Sequence, residues 1–369
     1  MMPAARDDRT RPTSNGVSDR ARSGDRDMSR PTVSLVMPNY NHAEFLERSI
    51  GAALLQTRPA DQIVIVDDAS DDRSFELISR LVEGHANVVV LRNAHRQGVL
   101  RTLNLALAHA DGDFVAFPSA DDMLYPRFVE VSAALLEQYP TAAFCCSRAA
   151  LIDKNDGVSG YRPLLMPATR ARFIASAKFR QLLRHGDHFF LGAVTLYRRD
   201  MLLANGGFAE QLGSASDGVA QLQLAGRHGF CFVPSVLGGW RLHGENFSSR
   251  SVGDPQALDL MLEKCVRTLV TSAGDLPNTY AALVERRLRF SAARLLVLGD
   301  APLSVSRLVG ITHAAGPQRR MLAALASFQP ASKFLLVLFL AAWLRPFSFG
   351  WLAIEPLRVM WARLMGATQ

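Results

Sequence analysis

From Val33 onward, short apolar runs alternate along the chain with longer stretches whose apolar residues recur at helical spacing. The short runs read VSLVM, IVIVD, VVVL, FVAF and AAFCCS, and the stretches between them read AEFLERSIGAALL, RSFELISRLVE, VLRTLNLALAHA and PRFVEVSAALLEQ. Strands that are apolar throughout belong in a sheet that helices cover on both faces. The pattern therefore predicts an α/β fold, with a mostly parallel sheet flanked by helices.

Polar and aromatic side chains follow three of the predicted strands. They are Asn39 and Tyr40, preceded by Pro38, after the first strand, Asp67 and Asp68 after the second, and Ser119, Asp121 and Asp122 after the fourth. Ligands of such sheets bind beyond the carboxyl ends of the strands, so we expect these residues to share one crevice. No GxGxxG motif or Walker lysine follows the first strand, which argues against a dinucleotide dehydrogenase or a P-loop protein.

Two of these sets of residues suggest binding sites, one for a metal ion and one for a nucleotide base. Asp121 and Asp122 are hard oxygen ligands of the kind that Mg²⁺ or Mn²⁺ binds together with substrate phosphates, although an Asp pair before a helix can also serve as its N-cap. A carboxylate at Asp67 or Asp68 could accept the imide N–H of uracil while the Tyr40 ring stacks on the base. The alternative is an Asp- and Ser-rich turn that caps the next helix.

The motifs in their order resemble glycosyltransferase family 2 of the GT-A fold. The segments that carry the resemblance read PTVSLVMPNYNHAEFLERSIGAALLQT, QIVIVDDASDD, NAHRQGVLRTLNLALAHADGDFVAFPSADDMLYP, GAVTLYRRDMLLANGGFAEQL and GGWRLHGENFS, and they span about residues 31–250. The resemblance implies a GT-A domain and an inverting transferase that uses a nucleotide-sugar, with a UDP-sugar as the favoured donor.

For the donor, the resemblance implies that Pro38 and Tyr40 line the base site. It implies that Asp68, with Asp67 beside it, pairs with the base. It places Asp121 near the ribose or the sugar.

For the chemistry, the resemblance implies that Asp122 is the principal ligand of a Mn²⁺ or Mg²⁺ cofactor, with His243 as a further metal ligand. It places Arg241 against the diphosphate. Asp217, in SASDGVAQLQLAGRHG, falls where the family keeps its catalytic base.

Three positions depart from the family pattern. Ser119 stands where the family has an acid before the metal ligand, which predicts weaker metal binding. Ser216 replaces the acid that often precedes the base, and Gly218 replaces the bulky residue after it, which predicts an open acceptor pocket.

Charge is unevenly distributed along the chain, whose formal net charge is +7. Residues 1–30 carry seven Arg and five Asp with few large apolar side chains, and they are expected to form a disordered tail. Residues 286–369 carry eleven Lys or Arg and two acids. This distribution favours a membrane-bound catalytic body over a nucleic-acid-binding protein, whose basic patch would lie on the folded module.

The C-terminal segment, residues 251–369, is predicted to be helical. Its eleven unbroken apolar residues, Phe334 to Leu344, would form about 16 Å of helix, too short to cross a hydrocarbon core of about 30 Å. We expect the stretch 333–361 to lie in the membrane interface, anchored by Trp, Phe and Arg side chains. A packed helical subdomain or a contact between copies in a homo-oligomer is the alternative.

Together these observations predict a metal-dependent inverting glycosyltransferase. Its partners would be a nucleotide-sugar donor and a glycan or lipid-linked acceptor, in cell-surface or lipid-linked glycan synthesis. Four cysteines without paired spacing, and no apolar leader, predict a cytoplasmic location at the inner face of the cell membrane. Two alternatives remain: a sugar nucleotidyltransferase, and a catalytically weakened membrane-associated module that binds a nucleotide-sugar.

Overall fold

The computed structural model describes residues 30–163, 166–183, 190–243, 255–271, 276, 280–298, 302–327 and 333–345. Two expectations lie outside this part of the chain: the disordered tail, apart from Arg30, and the interfacial stretch beyond residue 345. The described strands are β1 (Val33–Asn39), β2 (Gln62–Asp67), β3 (Val88–Arg92), β4 (Phe114–Ala116), β5 (Met123–Leu124), β6 (Phe144–Ile152), β7 (Val158–Arg162), β8 (Arg172–Ile174), β9 (Thr195–Arg198) and β10 (Phe230–Arg241).

The described helices follow the predicted alternation in the first half of the chain and then form a C-terminal group. They are α1 (Leu46–Leu54), α2 (Ser74–Leu81), α3 (Val99–His109), α4 (Phe128–Gln138), α5 (Ser176–Leu182), α6 (Arg199–Ala204), α7 (Ser216–His228), α8 (Pro255–Thr271), α9 (Tyr280–Leu298), α10 (Val305–Thr312), α11 (Gly316–Ala326) and α12 (Lys333–Leu344).

The strands of the described residues form one sheet in the order β3-β2-β1-β4-β9-β6-β10-β5, with β7 paired to β6 and β8 paired to β10. Strands β1 to β4 run parallel, while β9 is antiparallel to both β4 and β6. The predicted α/β sheet flanked by helices is confirmed, and its second half is mixed rather than parallel. Because β2 and β4 lie on opposite sides of β1, the connections reverse direction there, which opens a crevice at the strand ends.

Two apolar layers cover the two faces of the sheet. Successive residues of β1 alternate between them: Leu35 and Met37 pack in one layer, and Val36 packs in the other. All three are essentially fully buried, as the period of two along a strand requires when both faces are covered. The rigid sheet therefore holds the carboxyl ends of β1, β2 and β4 in fixed positions.

The C-terminal helices extend the layer that contains Val36. Helix α9 contacts α8, α10 and α12, and α12 buries Leu336, Leu340 and Leu344 in the same apolar cluster. The opposite side of α12 leaves Phe334 and Leu335 exposed. Among the described helices, none is both long enough and apolar enough to cross a bilayer.

Candidate active site

A cavity of about 450 Å³ opens at the carboxyl ends of β1, β2 and β4. The residues predicted from the sequence that line it are Pro38, Tyr40, Asp68, Asp121, Asp122 and Asp217. Asp67 and Arg241 do not contribute to its wall, and His243 lies behind it against Asp121. Residues that are up to 179 positions apart in the chain thus meet at one crevice.

Asp67 anchors the loop that follows β2. Its side chain is fully buried and accepts hydrogen bonds from the Asn39 side-chain amide at 2.8 Å, the Ser70 hydroxyl at 2.6 Å and the Ser70 backbone N–H at 3.0 Å. These bonds tie the end of β2 to the end of β1. The geometry therefore gives Asp67 a structural role beneath the cavity instead of a direct contact with a ligand.

Asp68 reaches the cavity and is held from its other side by the loop before α3. Its carboxylate accepts the Asn93 side-chain amide at 2.7 Å and the backbone N–H groups of Gln97 and Gly98 at 2.8 Å each. Gly98 has a φ of +89°, a conformation that side chains rarely adopt, which lets its N–H point at the carboxylate. An ionised carboxylate offers about four acceptor positions, so one remains for a ligand N–H.

Tyr40 lines the cavity next to a cation that the sequence analysis did not single out. The Arg96 guanidinium carbon lies 4.0 Å from the centre of the Tyr40 ring, and both residues face the cavity. A guanidinium over a tyrosine ring is an attractive cation–π contact. Arg96 is therefore a cation that the cavity offers to an anionic ligand.

The adjacent carboxylates Asp121 and Asp122 have opposite electrostatic settings. Burial, together with the neighbouring charge of Asp121, raises the pKa of Asp122 well above its ordinary value, and this carboxyl accepts the Arg241 backbone N–H at 2.8 Å. Burial would also raise the pKa of Asp121, but hydrogen bonds from His243 and Ser119 and the nearby His42 outweigh it and lower that pKa. Asp121 is thus the residue of the pair that carries the negative charge.

Asp121 forms a compact group with two imidazoles. Candidate ligand atoms of His42, Asp121 and His243 all lie within 4.8 Å of one another, and His243 Nε2 is 2.7 Å from Asp121 Oδ2. Burial lowers the pKa of His42, which favours the neutral imidazole that binds metals. This donor set fits a divalent cation. It includes the predicted ligand His243, it brings in His42, and it uses Asp121 where the sequence analysis expected Asp122.

Ser119 takes part in the same group. Its hydroxyl donates a hydrogen bond to Asp121 Oδ1, and this bond helps to fix the carboxylate whose other oxygen faces His243. The serine that replaces the family's acid therefore positions the remaining carboxylate.

Arg241 occupies a different setting from the predicted diphosphate contact. It is fully buried at the end of β10, and its guanidinium donates to the backbone carbonyl oxygens of Asp121 and Asp153 and to the Asp156 carboxylate. The same group lies 4.8 Å from the centre of the Phe45 ring. These contacts hold the turn that carries Asp121, and Arg241 does not line the cavity.

Asp217 lies at the start of α7, on the wall of the same cavity as Asp68 and Asp121. Burial raises its pKa, although a 2.7 Å hydrogen bond from the Gly218 backbone N–H offsets part of that effect. A side chain at Gly192 would collide with Asp217 Oδ2, so only glycine leaves room for the carboxylate in this position. A raised pKa suits a group that has to accept a proton near neutral pH.

Gly218 leaves open space beside Asp217. An added Cβ at this position would have no atom within 4 Å, in contrast to the crowded Gly192.

The comparisons with known proteins find glycosyltransferases and polysaccharide synthases. Residues 34–204 match the model of Glycosyl transferase family 2. The chain is 39% identical over 103 residues to an uncharacterized glycosyltransferase of Nostoc sp., a match that covers 27% of this chain and 32% of that protein. It is 24% identical over 225 residues to hyaluronan synthase of Pasteurella multocida, which covers 60% of this chain and 22% of the synthase. The chain thus spans about a third or less of the length of these relatives.

Two solved structures share the fold over most of the chain. TarS of S. aureus in complex with UDP-GlcNAc superposes with a TM-score of 0.57 at 16% identity, covering 86% of this chain and 93% of that one. A mannosyltransferase of Pyrobaculum calidifontis in complex with GDP-Man and Mn²⁺ superposes with a TM-score of 0.51 at 21% identity. The superposition covers 85% of this chain and 86% of the mannosyltransferase chain. At these identities the likeness concerns the fold alone.

Proposed function

The chain belongs to glycosyltransferase family 2 and has the GT-A fold, and from this premise we propose that it is a metal-dependent inverting transferase. It would move a sugar from a nucleotide-sugar, with a UDP-sugar as the favoured donor, to a hydroxyl group of an acceptor. One observation carries the proposal: Tyr40, Asp68, Asp121 and Asp217 line a single cavity. The two neighbours solved with UDP-GlcNAc and GDP-Man support a nucleotide-sugar as the donor class.

The nucleoside end of the donor would bind between β1 and β2. Tyr40 offers a ring face for stacking, and Asp68 offers one remaining acceptor position for the imide N–H of uracil. Arg96, next to Tyr40, is placed to attract the negatively charged diphosphate. A pyrimidine with an imide N–H fits this pair of contacts, which is why UDP is the favoured nucleotide.

Asp121 and His243 would hold the divalent cation. When bound, such an ion supplies the charge stabilisation that a leaving diphosphate requires. Ser119 and Arg241 act on this end of the site through Asp121, by fixing its carboxylate and its backbone carbonyl.

Asp217 would act as the general base. An acceptor hydroxyl is a weak nucleophile at neutral pH, and a carboxylate that removes its proton during attack makes it a stronger one. As the hydroxyl oxygen bonds to the anomeric carbon of the sugar, the bond from that carbon to the diphosphate oxygen would break on the opposite face and the nucleoside diphosphate would leave. A single displacement of this kind inverts the configuration of the sugar carbon. The open space beside Gly218 would admit a bulky acceptor.

A glycan or lipid-linked acceptor in cell-surface glycan synthesis is the proposed class. The likeness to hyaluronan synthase over 60% of this chain supports it.

We propose that the enzyme lies on the cytoplasmic side of the cell membrane as a peripheral protein. Phe334, Leu335 and Leu338, which are 70%, 53% and 49% exposed, form an apolar stripe on α12. Lys333 and Arg345 flank this stripe, as anchoring cations flank interfacial helices.

Vesicle co-sedimentation tests the membrane proposal. The wild-type chain should sediment with vesicles of phosphatidylglycerol and phosphatidylcholine, and a Phe334→Ser/Leu335→Ser variant should stay in the supernatant. Leu260→Ser, at an exposed residue of α8, is the matched control and should bind as the wild type does. Equal sedimentation of all three proteins would contradict the proposal. A dimer in size-exclusion chromatography that the double substitution dissociates would assign this face to a second copy of the chain.

The proposed activity is tested with a panel of nucleotide-sugars and Mn²⁺. We expect slow release of a nucleoside diphosphate from one donor, with no release by an Asp121→Asn variant. An Asp111→Asn variant, at an exposed residue before β4, should keep the wild-type rate. Conversion of the donor to a nucleoside triphosphate and a sugar 1-phosphate when pyrophosphate is added would instead indicate a nucleotidyltransferase. Nucleotide binding without turnover of any donor would indicate a weakened binding module.

A further inference from the structure

His42 lies at a rigidly held position in the loop between β1 and α1. The residue before it, Asn41, has a φ of 57°, and its backbone N–H donates to the Ser70 hydroxyl at 3.0 Å. The residue after it, Ala43, donates its backbone N–H to the Asp72 carboxylate at 3.1 Å. The residues on both sides of His42 are therefore tied to the loop that follows β2, which fixes the place from which the imidazole projects.

The two imidazoles of the group pack around one phenylalanine. The ring centres of His42 and His243 are 5.9 Å apart. The buried Phe45 ring stacks on the His243 ring, with 5.5 Å between their centres, and its centre lies 6.3 Å from that of His42. Apolar packing of this kind restricts the rotation of both rings. The two histidines are held beside Asp121 in a preformed arrangement.

The charged groups around His42 leave Asp121 as the carboxylate of this site. Asp72 and Glu44 also interact with His42 electrostatically, but Asp72 is engaged with Ala43 and Ser74, and Glu44 is exposed. Asp122 accepts the Arg241 backbone N–H. The donor set is thus two nitrogens and one carboxylate, which differs from the all-oxygen surroundings that Mg²⁺ prefers.

We propose that His42 is a direct ligand of the catalytic cation and that, together with His243, it makes the site selective for Mn²⁺ and later first-row ions over Mg²⁺. The proposal rests on the proposed function, since it concerns the cation of the same site. Imidazole nitrogens favour transition ions, whose affinity rises along the first row from Mn²⁺ onward. Mg²⁺ keeps most of its water and gains little from nitrogen ligands.

Direct titration of the full-length protein with Mn²⁺ and with Mg²⁺ tests the proposal without any turnover. We expect His42→Ala to weaken Mn²⁺ binding by at least about 10-fold, since loss of even an outer-shell partner of a metal ligand costs about 10–100-fold. His42→Asp should tighten Mg²⁺ binding and so reduce the preference for Mn²⁺. His85→Ala, at an exposed histidine between α2 and β3, is the matched control and should bind both ions as the wild type does.

Pulsed EPR of bound Mn²⁺ supplies a second readout. In a His243→Ala variant the nitrogen coupling to Mn²⁺ should persist, and the additional removal of His42 should abolish it. If His42→Ala does not fold, as judged by circular dichroism, His42→Gln serves in its place.

The outcomes separate this inference from the proposed function. Equal Mn²⁺ affinity in the wild type and in His42→Ala, with UDP bound by both, would overturn the role of His42 alone. A wild-type protein that binds neither UDP nor Mn²⁺ would overturn the proposed function as well.

Discussion

Replacement of Asp217 by asparagine removes the proposed base and leaves the shape of the site intact. The amide of Asn is nearly isosteric with the carboxylate, and its carbonyl oxygen can still accept the Gly218 backbone N–H that Asp217 accepts at 2.7 Å. The amide cannot take a proton from an acceptor hydroxyl. Tyr40 and Asp68, on another wall of the cavity, keep their contacts, so donor binding should not change.

The expected loss follows from the role of the carboxylate. General-base catalysis contributes about 10² to 10⁴ in rate, which corresponds to about 3–5 kcal/mol of transition-state stabilisation. We therefore expect Asp217→Asn to lower kcat by that factor, while the KM for the donor stays within about twofold. Asp200→Asn, at an exposed residue of α6, is the matched control and should keep the wild-type kcat.

The pH dependence supplies the signature of a base. Because burial raises the pKa of Asp217, the wild-type kcat/KM should fall as the pH is lowered through this raised value, where the carboxylate becomes protonated. The residual activity of Asp217→Asn should lack this dependence. The assay is nucleoside diphosphate release in the presence of acceptor, between pH 4 and pH 8. A variant that retains more than a tenth of the wild-type kcat, with the same pH profile, would refute the assignment of Asp217 as the base.

Three further substitutions test other parts of the site. Gly192→Ala should displace the Asp217 carboxylate and lower kcat by about 10²-fold with donor KM unchanged, whereas Gly51→Ala, in open space on α1, should have no effect in the same assay. Asp122→Asn should raise the melting temperature at pH 7, because the raised folded-state pKa means that ionisation costs stability as the pH rises. That gain should vanish below the pKa that the Asp122 carboxyl has in the unfolded chain. A gain that does not depend on pH would contradict the buried, ionisable carboxyl as its cause. Tyr40→Ala should weaken UDP binding by about 5- to 150-fold in calorimetry, and unchanged affinity would rule out stacking.

The hydrophobic pattern predicts the α/β sheet flanked by helices and the edge at which the candidate site lies. Strands that are apolar throughout predict a sheet covered on both faces, and the strand ends of such a sheet define one crevice. Tyr40, Asp68 and Asp121 follow three different strands in the sequence, and all three line the same cavity. The antiparallel strands in the mixed half of the sheet were not predicted, because β7 to β9 are short and carry no distinctive apolar run.

The orientation of neighbouring carboxylates could not be read from the sequence. In each Asp pair one member is held by a distant group away from a ligand: Asp67 by Asn39, below the cavity, and Asp122 by the backbone N–H of Arg241, which is 119 residues away. Burial and tertiary hydrogen bonds, which the sequence does not show, together lower the pKa of Asp121 and raise that of Asp122. The assignment of Asp122 as the principal ligand therefore stays a prediction, and the electrostatics favour Asp121.

Two residues of the site carry no local signal. His42 and Arg96 lie in loops whose sequences, NYNHAE and NAHRQG, would suit any polar surface turn. Their importance comes from what the fold brings next to them: Asp121 and His243 for His42, and the Tyr40 ring for Arg96.

The central claim is that one cavity binds the nucleotide and the cation and that the general base, Asp217, lines the same cavity. A crystal structure of the protein with UDP and Mn²⁺, with the manganese located by anomalous diffraction, tests it most directly. The account predicts uracil between Tyr40 and Asp68, an anomalous peak beside Asp121, and the Asp217 carboxylate on the far wall of the same cavity. Nucleotide or manganese bound at any other place in the molecule would contradict it.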